Sequence, residues 1–170
     1  NGNGKATSKG KSSKIPATTF LRAMDERYGT TEAVLRLFYD TEKVDPGKVR
    51  PRMYTVGPII DPDTGEELVP AGGQIGEAVT RIHAALKRKV EVIPRPGDTL
   101  MLTTVAEDQA DSYESALLRI YARLRPGNPP QVDKAKSLFA EKFYDENRYR
   151  LGKVGRFRLN RKFSQDVPES

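Results

Sequence analysis

Cysteine and tryptophan are absent from this chain of 170 residues, and histidine occurs once, as His83. Without cysteine there is no disulfide, thiolate nucleophile, iron–sulfur cluster or thiolate zinc site. A single histidine removes most other metal sites and acid–base schemes. No apolar run approaches the ~18 residues of a membrane span, and the lysine-rich start has no secretory signal. The composition argues against a self-contained enzyme and predicts a cytoplasmic chain with no membrane partner.

What the sequence does contain is a soluble-domain composition with unevenly distributed charge. Hydrophobic residues make up 36% of the chain and charged residues 31%, which suits one domain, or one domain with a small insertion. The net charge is +6, but residues 1–14 hold four lysines and no acid, and residues 148–163 hold seven basic residues and no acid. A tail over 164–170 contains two acids. The part between the basic ends is mildly acidic.

The two basic ends differ in their apolar content. Residues 1–13 are mostly glycine, serine, lysine, asparagine and threonine, which predicts a flexible basic segment. In the other end, basic and apolar residues alternate from Arg156 to Leu159, as in a half-buried strand that presents one face to an anion. We call the cations of this end the basic strip and predict that they bind nucleic acid. The basic strip consists of Arg148, Arg150, Lys153, Arg156, Arg158, Arg161 and Lys162. A solvated face, or contact with an acidic protein surface, would explain the same pattern.

Apolar periodicity predicts four main helices. The first follows Pro16, with Thr18 or Thr19 as its N-cap, and the second begins at Thr30 or Thr31 after a turn at Gly29. Two longer helices follow later in the chain. One begins at Asp111 or Ser112 and stops at Pro126-Gly127, and the other begins after Pro129-Pro130. We expect these two to pack against each other and against the first pair.

The region between these helix pairs is rich in proline and has short apolar runs, which is typical of a separate β-rich module. The pattern predicts a strand over 54–60, a tight turn over 61–65, a returning strand over 67–69, a helix of about 15 residues over 74–89 and a strand over 90–93.

Most candidate chemistry in this sequence fails on spacing. Asp61-Pro62-Asp63-Thr64-Gly65 resembles the start of a calcium loop, but the twelfth position holds Gly72 rather than the required glutamate, so a turn is favoured. The glycines over 72–76 lack the Gly-Lys-Ser/Thr of a phosphate-binding loop. His83 has no acid or histidine four residues away to form a metal face, and Tyr113 and Tyr121 lie on an apolar stripe that favours packing. We predict no catalytic and no metal-binding residue.

Two stretches of the sequence are more specific. The first stretch is Lys14-Ile15-Pro16-Ala17-Thr18-Thr19-Phe20-Leu21-Arg22-Ala23. The second begins with Leu124-Arg125-Pro126-Gly127-Asn128-Pro129-Pro130 and continues to Asn147-Arg148-Tyr149-Arg150-Leu151 and Val154-Gly155-Arg156. In order and spacing they resemble the second lobe of the β subunit of bacterial DNA-directed RNA polymerase. Between them, residues 56–93 are similar to small barrel-like modules inserted in the large polymerase subunits.

This resemblance implies the fold and the role of the chain. It implies an α+β fold: a helical lobe formed by 14–49 and 97–163, an inserted small β-rich, barrel-sandwich-like module over 50–96, and a tail over 164–170. It also implies a fragment of a nucleotidyltransferase that forms part of the jaw around DNA in the bacterial nucleoid. The residues that contact substrate and catalytic magnesium in that family do not map here, so the fragment alone is expected to be inactive and without a cofactor.

The partners that the resemblance implies are DNA and the other polymerase subunits, namely the rest of β, β′, α and the sigma factor. Two alternatives remain open: a stand-alone basic nucleic-acid-binding module, and a domain that docks protein factors. The first predicts micromolar or tighter binding to nucleic acid by the chain alone, whereas a lobe predicts contacts of about 0.1 mM or weaker.

Overall fold

The computed structural model describes residues 14–144, and the basic strip and residues 1–13 lie outside this range. Six α-helices and five strands occur within it. The helices are α1 (Ala17–Met24), α2 (Thr31–Phe38), α3 (Val79–Ala85), α4 (Leu100–Glu107), α5 (Tyr113–Leu124) and α6 (Val132–Phe139). The strands are β1 (Glu42–Val44), β2 (Tyr54–Thr55), β3 (Ile59–Ile60), β4 (Glu67–Val69) and β5 (Val90–Ile93). No helix among these combines the length and apolar character that crossing a membrane requires.

Helices α1, α5 and α6 pack around one apolar cluster. Ser112 caps α5 by accepting a hydrogen bond from the Ser115 backbone N–H, and the Ser115 hydroxyl accepts one in return from the Ser112 N–H. The helix ends before a turn in which Gly127 has a φ of 85°, a conformation that glycine adopts without strain. Six members of the cluster are Ala23, Ala116, Leu117, Ile120, Leu138 and Phe139. The predicted packing of the two long helices on each other and on the first helix is confirmed, and α2 packs elsewhere.

The strands form a three-stranded antiparallel sheet and a separate hairpin. The sheet has the order β1–β5–β2, with Val44 opposite Val90 and Tyr54 opposite Ile93. Strands β3 and β4 pair only with each other. A second apolar cluster lies under the sheet, the hairpin and α3, and it includes Val49, Ile59, Val69, Ile75, Ile82 and Val92.

A third cluster connects α2 and α4 to the β-rich part. Its buried members are Val34, Leu35, Val56, Ile93, Leu102 and Val105. Gly72 approaches this cluster so closely that a Cβ there would lie 3.2 Å from Val105 Cγ2 and 3.3 Å from Leu35 Cδ1. The β-rich part is therefore attached to the helices through a continuous apolar contact.

The mixed helix and strand content agrees with the predicted α+β class, but the structure does not confirm a barrel-sandwich-like module. Its strands are two to four residues long and are divided between the sheet and the hairpin. The predicted boundaries at residues 50 and 96 stay a prediction. Strand β1 precedes residue 50 in the sequence and pairs with β5.

Several local predictions were wrong for identifiable reasons. The strand predicted over 54–60 is interrupted between β2 and β3, where Pro58 has no N–H to donate to a neighbouring strand. The helix predicted over 74–89 is a 3₁₀ turn at Gly76–Ala78 followed by α3, and it stops at Leu86, whose ψ of 137° leads into β5. Thr18 and Thr19 lie within α1 and do not cap it. Strand β1 and helix α4 were not predicted.

Candidate nucleic-acid interface

All seven residues of the basic strip lie outside the described residues, so the structure places none of them. It does describe the helical end that precedes them. The ring of Phe143 packs edge-on to Phe20 of α1 at a centroid distance of 6.0 Å and lies 4.5 Å from the ring of Phe139 in α6. Phe143 thus fixes the last described turn, Ala140–Tyr144, against the helical cluster.

A buried ion pair holds α1 against the end of α4. The side chains of Arg22 and Asp108 are both fully buried, with Arg22 Nε 3.2 Å from Asp108 Oδ2. The hydroxyls of Thr18 and Thr19 donate to the same carboxylate at 2.6 and 2.8 Å, and the backbone N–H of Ala110 donates at 2.9 Å. We call these five residues, with the two further acceptors below, the Arg22 network.

The rest of the Arg22 guanidinium reaches α2. Its Nη1 donates to the Gly29 carbonyl oxygen and its Nη2 to the Thr31 hydroxyl, each at 2.8 Å. Every buried polar side-chain atom among the described residues has a partner. The Arg22 network therefore ties α1, α2 and α4 together, and its charge is used within the fold.

The Asp61 turn is stabilised by its own backbone and by one arginine. Asp61 Oδ1 accepts from the Asp63 N–H at 3.0 Å, and Arg81 Nη2 donates to Asp61 Oδ2 at 3.1 Å and to Glu66 Oε2 at 2.8 Å. The Asp63 backbone N–H, then the Thr64 N–H and Arg81, hold the pKa of Asp61 below its usual value although burial opposes them. The prediction of a turn is confirmed. Within residues 14–144, no cluster of three or more acidic or histidine side chains could hold a metal.

His83 and the two tyrosines have structural roles, as predicted. The His83 Nε2 atom lies 3.0 Å from the carbonyl oxygen of Val49 and joins α3 to the loop before β2. Tyr121 is buried in the helical cluster, and Tyr113 packs beside it with Lys136 Nζ 5.4 Å from its ring centroid. Both tyrosines therefore pack in or against the helical cluster.

The groove between α5 and α6 carries charges of both signs. It encloses about 380 Å³, and its walls include Arg125 and Lys134 together with Asp133 and Glu141. Because acids and bases alternate there, the groove has no strong field of either sign and does not suit a phosphate backbone.

The structure also brings together cations that sequence reasoning did not connect. Residues 46–53 and 78–90 contain no acid, and α3 packs beside the first of these segments. Arg81 is excluded because it pairs with Asp61 and Glu66, and the other exposed cations of the two segments form what we call the basic patch. The basic patch consists of Lys48, Arg50, Arg52, Lys87, Arg88 and Lys89. The two acid-free runs were the signal that could have revealed it.

Comparison with known proteins assigns the chain to a class of protein, the large subunits of multisubunit RNA polymerases. The family model that matches is "RNA polymerase Rpb2, domain 2", and it covers residues 94–170. Three similar proteins are all named DNA-directed RNA polymerase subunit beta. The protein from Rhodopirellula baltica is 47% identical over 94% of this chain, that from Leptospira biflexa 31% over 92%, and that from Protochlamydia amoebophila 32% over 91%.

The chain belongs to the family of bacterial RNA polymerase β subunits. It spans 14% of the length of the Rhodopirellula relative and 13% of the other two. The resemblance predicted from the motifs at both ends of the sequence is confirmed.

Proposed function

We propose that this chain is a lobe of the β subunit that forms part of the DNA-channel jaw of the polymerase during transcription. The acid-free basic strip is the observation that supports this role most directly, because a run of cations is what a protein needs to follow a phosphate backbone. In the sequence, the basic strip begins four residues after the last described turn, Ala140–Tyr144, in which Phe143 packs against the helices. The lobe thus supplies shape and positive charge.

The chemistry of RNA synthesis belongs, in this proposal, to residues outside this chain. No metal-binding cluster occurs among the described residues, and the predicted site residues are cations rather than carboxylates. The magnesium of the assembled polymerase would then be held elsewhere in β or in β′. The proposed partners are DNA, the rest of β, β′, α and the sigma factor.

The test is charge reversal in the assembled polymerase. Arg156→Glu combined with Arg158→Glu should weaken DNA binding and reduce the dependence of log affinity on log salt by about 0.9 for each lost phosphate contact. Arg125→Glu combined with Lys134→Glu is the matched control, since it makes the same charge change in the groove that already holds acids. Unchanged affinity and salt dependence in the Arg156/Arg158 variant would contradict the proposed role of the strip.

The docking alternative has one observation in its favour. Leu100 is 66% exposed and, with Phe38 and Met101, lines a small cleft of about 190 Å³ beside Asp98. If protein docking is the main role, Leu100→Ala should weaken the binding of a transcription factor and leave DNA binding unchanged. The Arg156/Arg158 variant should then behave like its control in DNA binding.

A further inference from the structure

The basic patch lies on the β-rich part of the molecule, separate from the basic strip. Two segments distant in sequence form it, residues 46–53 and the loop after α3. All six of its cations are exposed. We propose that the basic patch is a second nucleic-acid contact, which binds the phosphate backbone of a duplex without reading its bases. The inference goes beyond the jaw role because it does not depend on the strip.

Four contacts hold residues 44–53 beside α3 and the segments that flank it. The pairing of Val44 with Val90 places the chain entering residues 46–53 next to the end of the loop over 87–89. His83 of α3 bonds to the Val49 carbonyl oxygen at 3.0 Å. Further along, the N–H of Gly76 donates to the Pro51 carbonyl oxygen and the N–H of Ile75 to that of Met53, both at 2.9 Å.

These contacts arrange the cations in a row beside α3. Arg52 lies at the start of the helical segment, because its two neighbours bond to residues 75 and 76. Lys48 and Arg50 flank Val49, which bonds to His83 in the last turn of α3, and Lys87 follows the residue that ends this helix. The ten steps from residue 76 to residue 86, at a rise of ~1.5 Å each, give a row of about 15 Å. This length corresponds to about four phosphates of one strand at ~3.4 Å each along the axis of a duplex.

The charge of the patch is available to a ligand. Within residues 14–144, the ion pairs with carboxylates are formed by Arg22, Arg27, Arg36 and Arg81. No ion pair described there involves a patch residue. The acids near the patch are Asp45 at one edge, Glu77 after the Gly76 that bonds to Pro51, and Glu32 and Glu91, which line one cleft with Lys89. In the described part of the chain, none of them forms an ion pair with a patch residue. Glu91 is already paired with Arg36.

The surface chemistry favours phosphate over an acidic protein. Stable protein interfaces have an apolar centre. Within residues 14–144, the strongly exposed large hydrophobic residues are Met24, Ile60, Leu100 and Leu124. None belongs to the two patch segments, and only Ile60 lines a cleft with a patch residue, Lys89. A surface of arginine and lysine without an apolar centre is suited to positioning on a phosphate backbone.

The experiment compares two charge-matched variants of the 170-residue chain. The patch variant is Lys48→Gln with Arg50→Gln and Arg52→Gln, and the control is Arg123→Gln with Arg125→Gln and Lys134→Gln. Binding to a labelled duplex of about 20 base pairs is measured by fluorescence anisotropy from ~50 to ~200 mM salt. If each patch cation meets one phosphate, the log–log salt slope should fall by about 2.7 in the patch variant, while the control keeps the parent slope. Equal slopes in the two variants would overturn the proposal.

A crosslinking measurement tests the position of the contact independently of any change in fold caused by the glutamine substitutions. Because the chain has no cysteine, Arg52→Cys and Lys134→Cys each give one attachment point for a photo-crosslinker. Crosslinks to the duplex from position 52 and not from position 134 are expected, and equal yields would contradict the proposal. Tighter binding to polyglutamate than to the duplex would assign the patch to an acidic protein and also overturn it. The titration is then repeated in a chain that also carries Arg156→Glu and Arg158→Glu. If the patch substitutions still lower the salt slope in that chain, their effect does not come from the basic strip.

Discussion

Removing the carboxylate of Asp108 should be the most damaging single polar change in the described part of this chain. Asp108→Ala leaves the fully buried Arg22 guanidinium without a counter-charge and takes the acceptor away from two threonine hydroxyls. Breaking one side of a buried ion pair typically costs about 3–5 kcal/mol, and this pair has three additional donors. Because domains are stable by about 5–15 kcal/mol, the expected loss is at least about one fifth of the free energy of unfolding.

The assay is urea denaturation followed by far-ultraviolet circular dichroism. The midpoint should fall strongly in Asp108→Ala with little change in the slope m, since the surface exposed on unfolding stays similar. Arg27→Ala is the control, because it removes an ion pair with Asp25 in which the Arg27 side chain is 80% exposed. This variant should leave the midpoint nearly unchanged. The double variant Arg22→Met with Asp108→Leu should recover much of the loss, because no buried charge remains. If Asp108→Ala lowered the free energy of unfolding by less than about 1 kcal/mol, the conclusion that the Arg22 network contributes strongly to stability would be refuted.

Two other predictions concern single residues outside the network. Arg36 bonds to Glu91 at 2.7 Å and lowers the pKa of that carboxyl, so this pair stabilises the fold above the ordinary pKa of glutamate and loses its effect as the pH falls through the lowered value. Glu91→Gln should therefore reduce stability at pH 7 and much less at pH 3, as measured by urea midpoints, and an equal loss at both would contradict this. Gly72 has a φ of 75°, and a Cβ there would lie 3.2 Å from Val105 Cγ2, so Gly72→Ala should lower the free energy of unfolding by more than about 1 kcal/mol. Gly97→Ala, with nothing within 4 Å of the new Cβ, should have little effect.

The elements that could be predicted from the sequence are those with local start and stop signals. Helix α5 has Ser112 before it and a Pro-Gly turn after it, and helix α2 has Thr30, whose hydroxyl accepts from the Ala33 N–H. Helix α4 was missed because Leu100, Met101 and Leu102 are consecutive apolar residues, which show no clear helical period. Strand β1, with the sequence Glu-Lys-Val, has no β pattern of its own, and it forms because β5 provides its partner.

The candidate sites show the same division between local and distant information. The basic strip is contiguous, so the sequence alone was enough to predict it. The basic patch needs the pairing of β1 with β5 and the bond between His83 and Val49, which join positions 34 residues apart or more. The partners of Arg22 could not be predicted either, because a buried arginine in α1 carries no local sign of a carboxylate 86 residues later.

That separation has a consequence during synthesis of the chain. Helix α1 is synthesised before α4, and the carboxylate that neutralises Arg22 is made 86 residues after that arginine. At about 5–20 residues per second, α1 waits roughly 4–17 s before it can dock in its final place. Helix α5, which packs against α1, is made later still, so during this interval the apolar side of α1 lacks the helix that covers it in the folded chain.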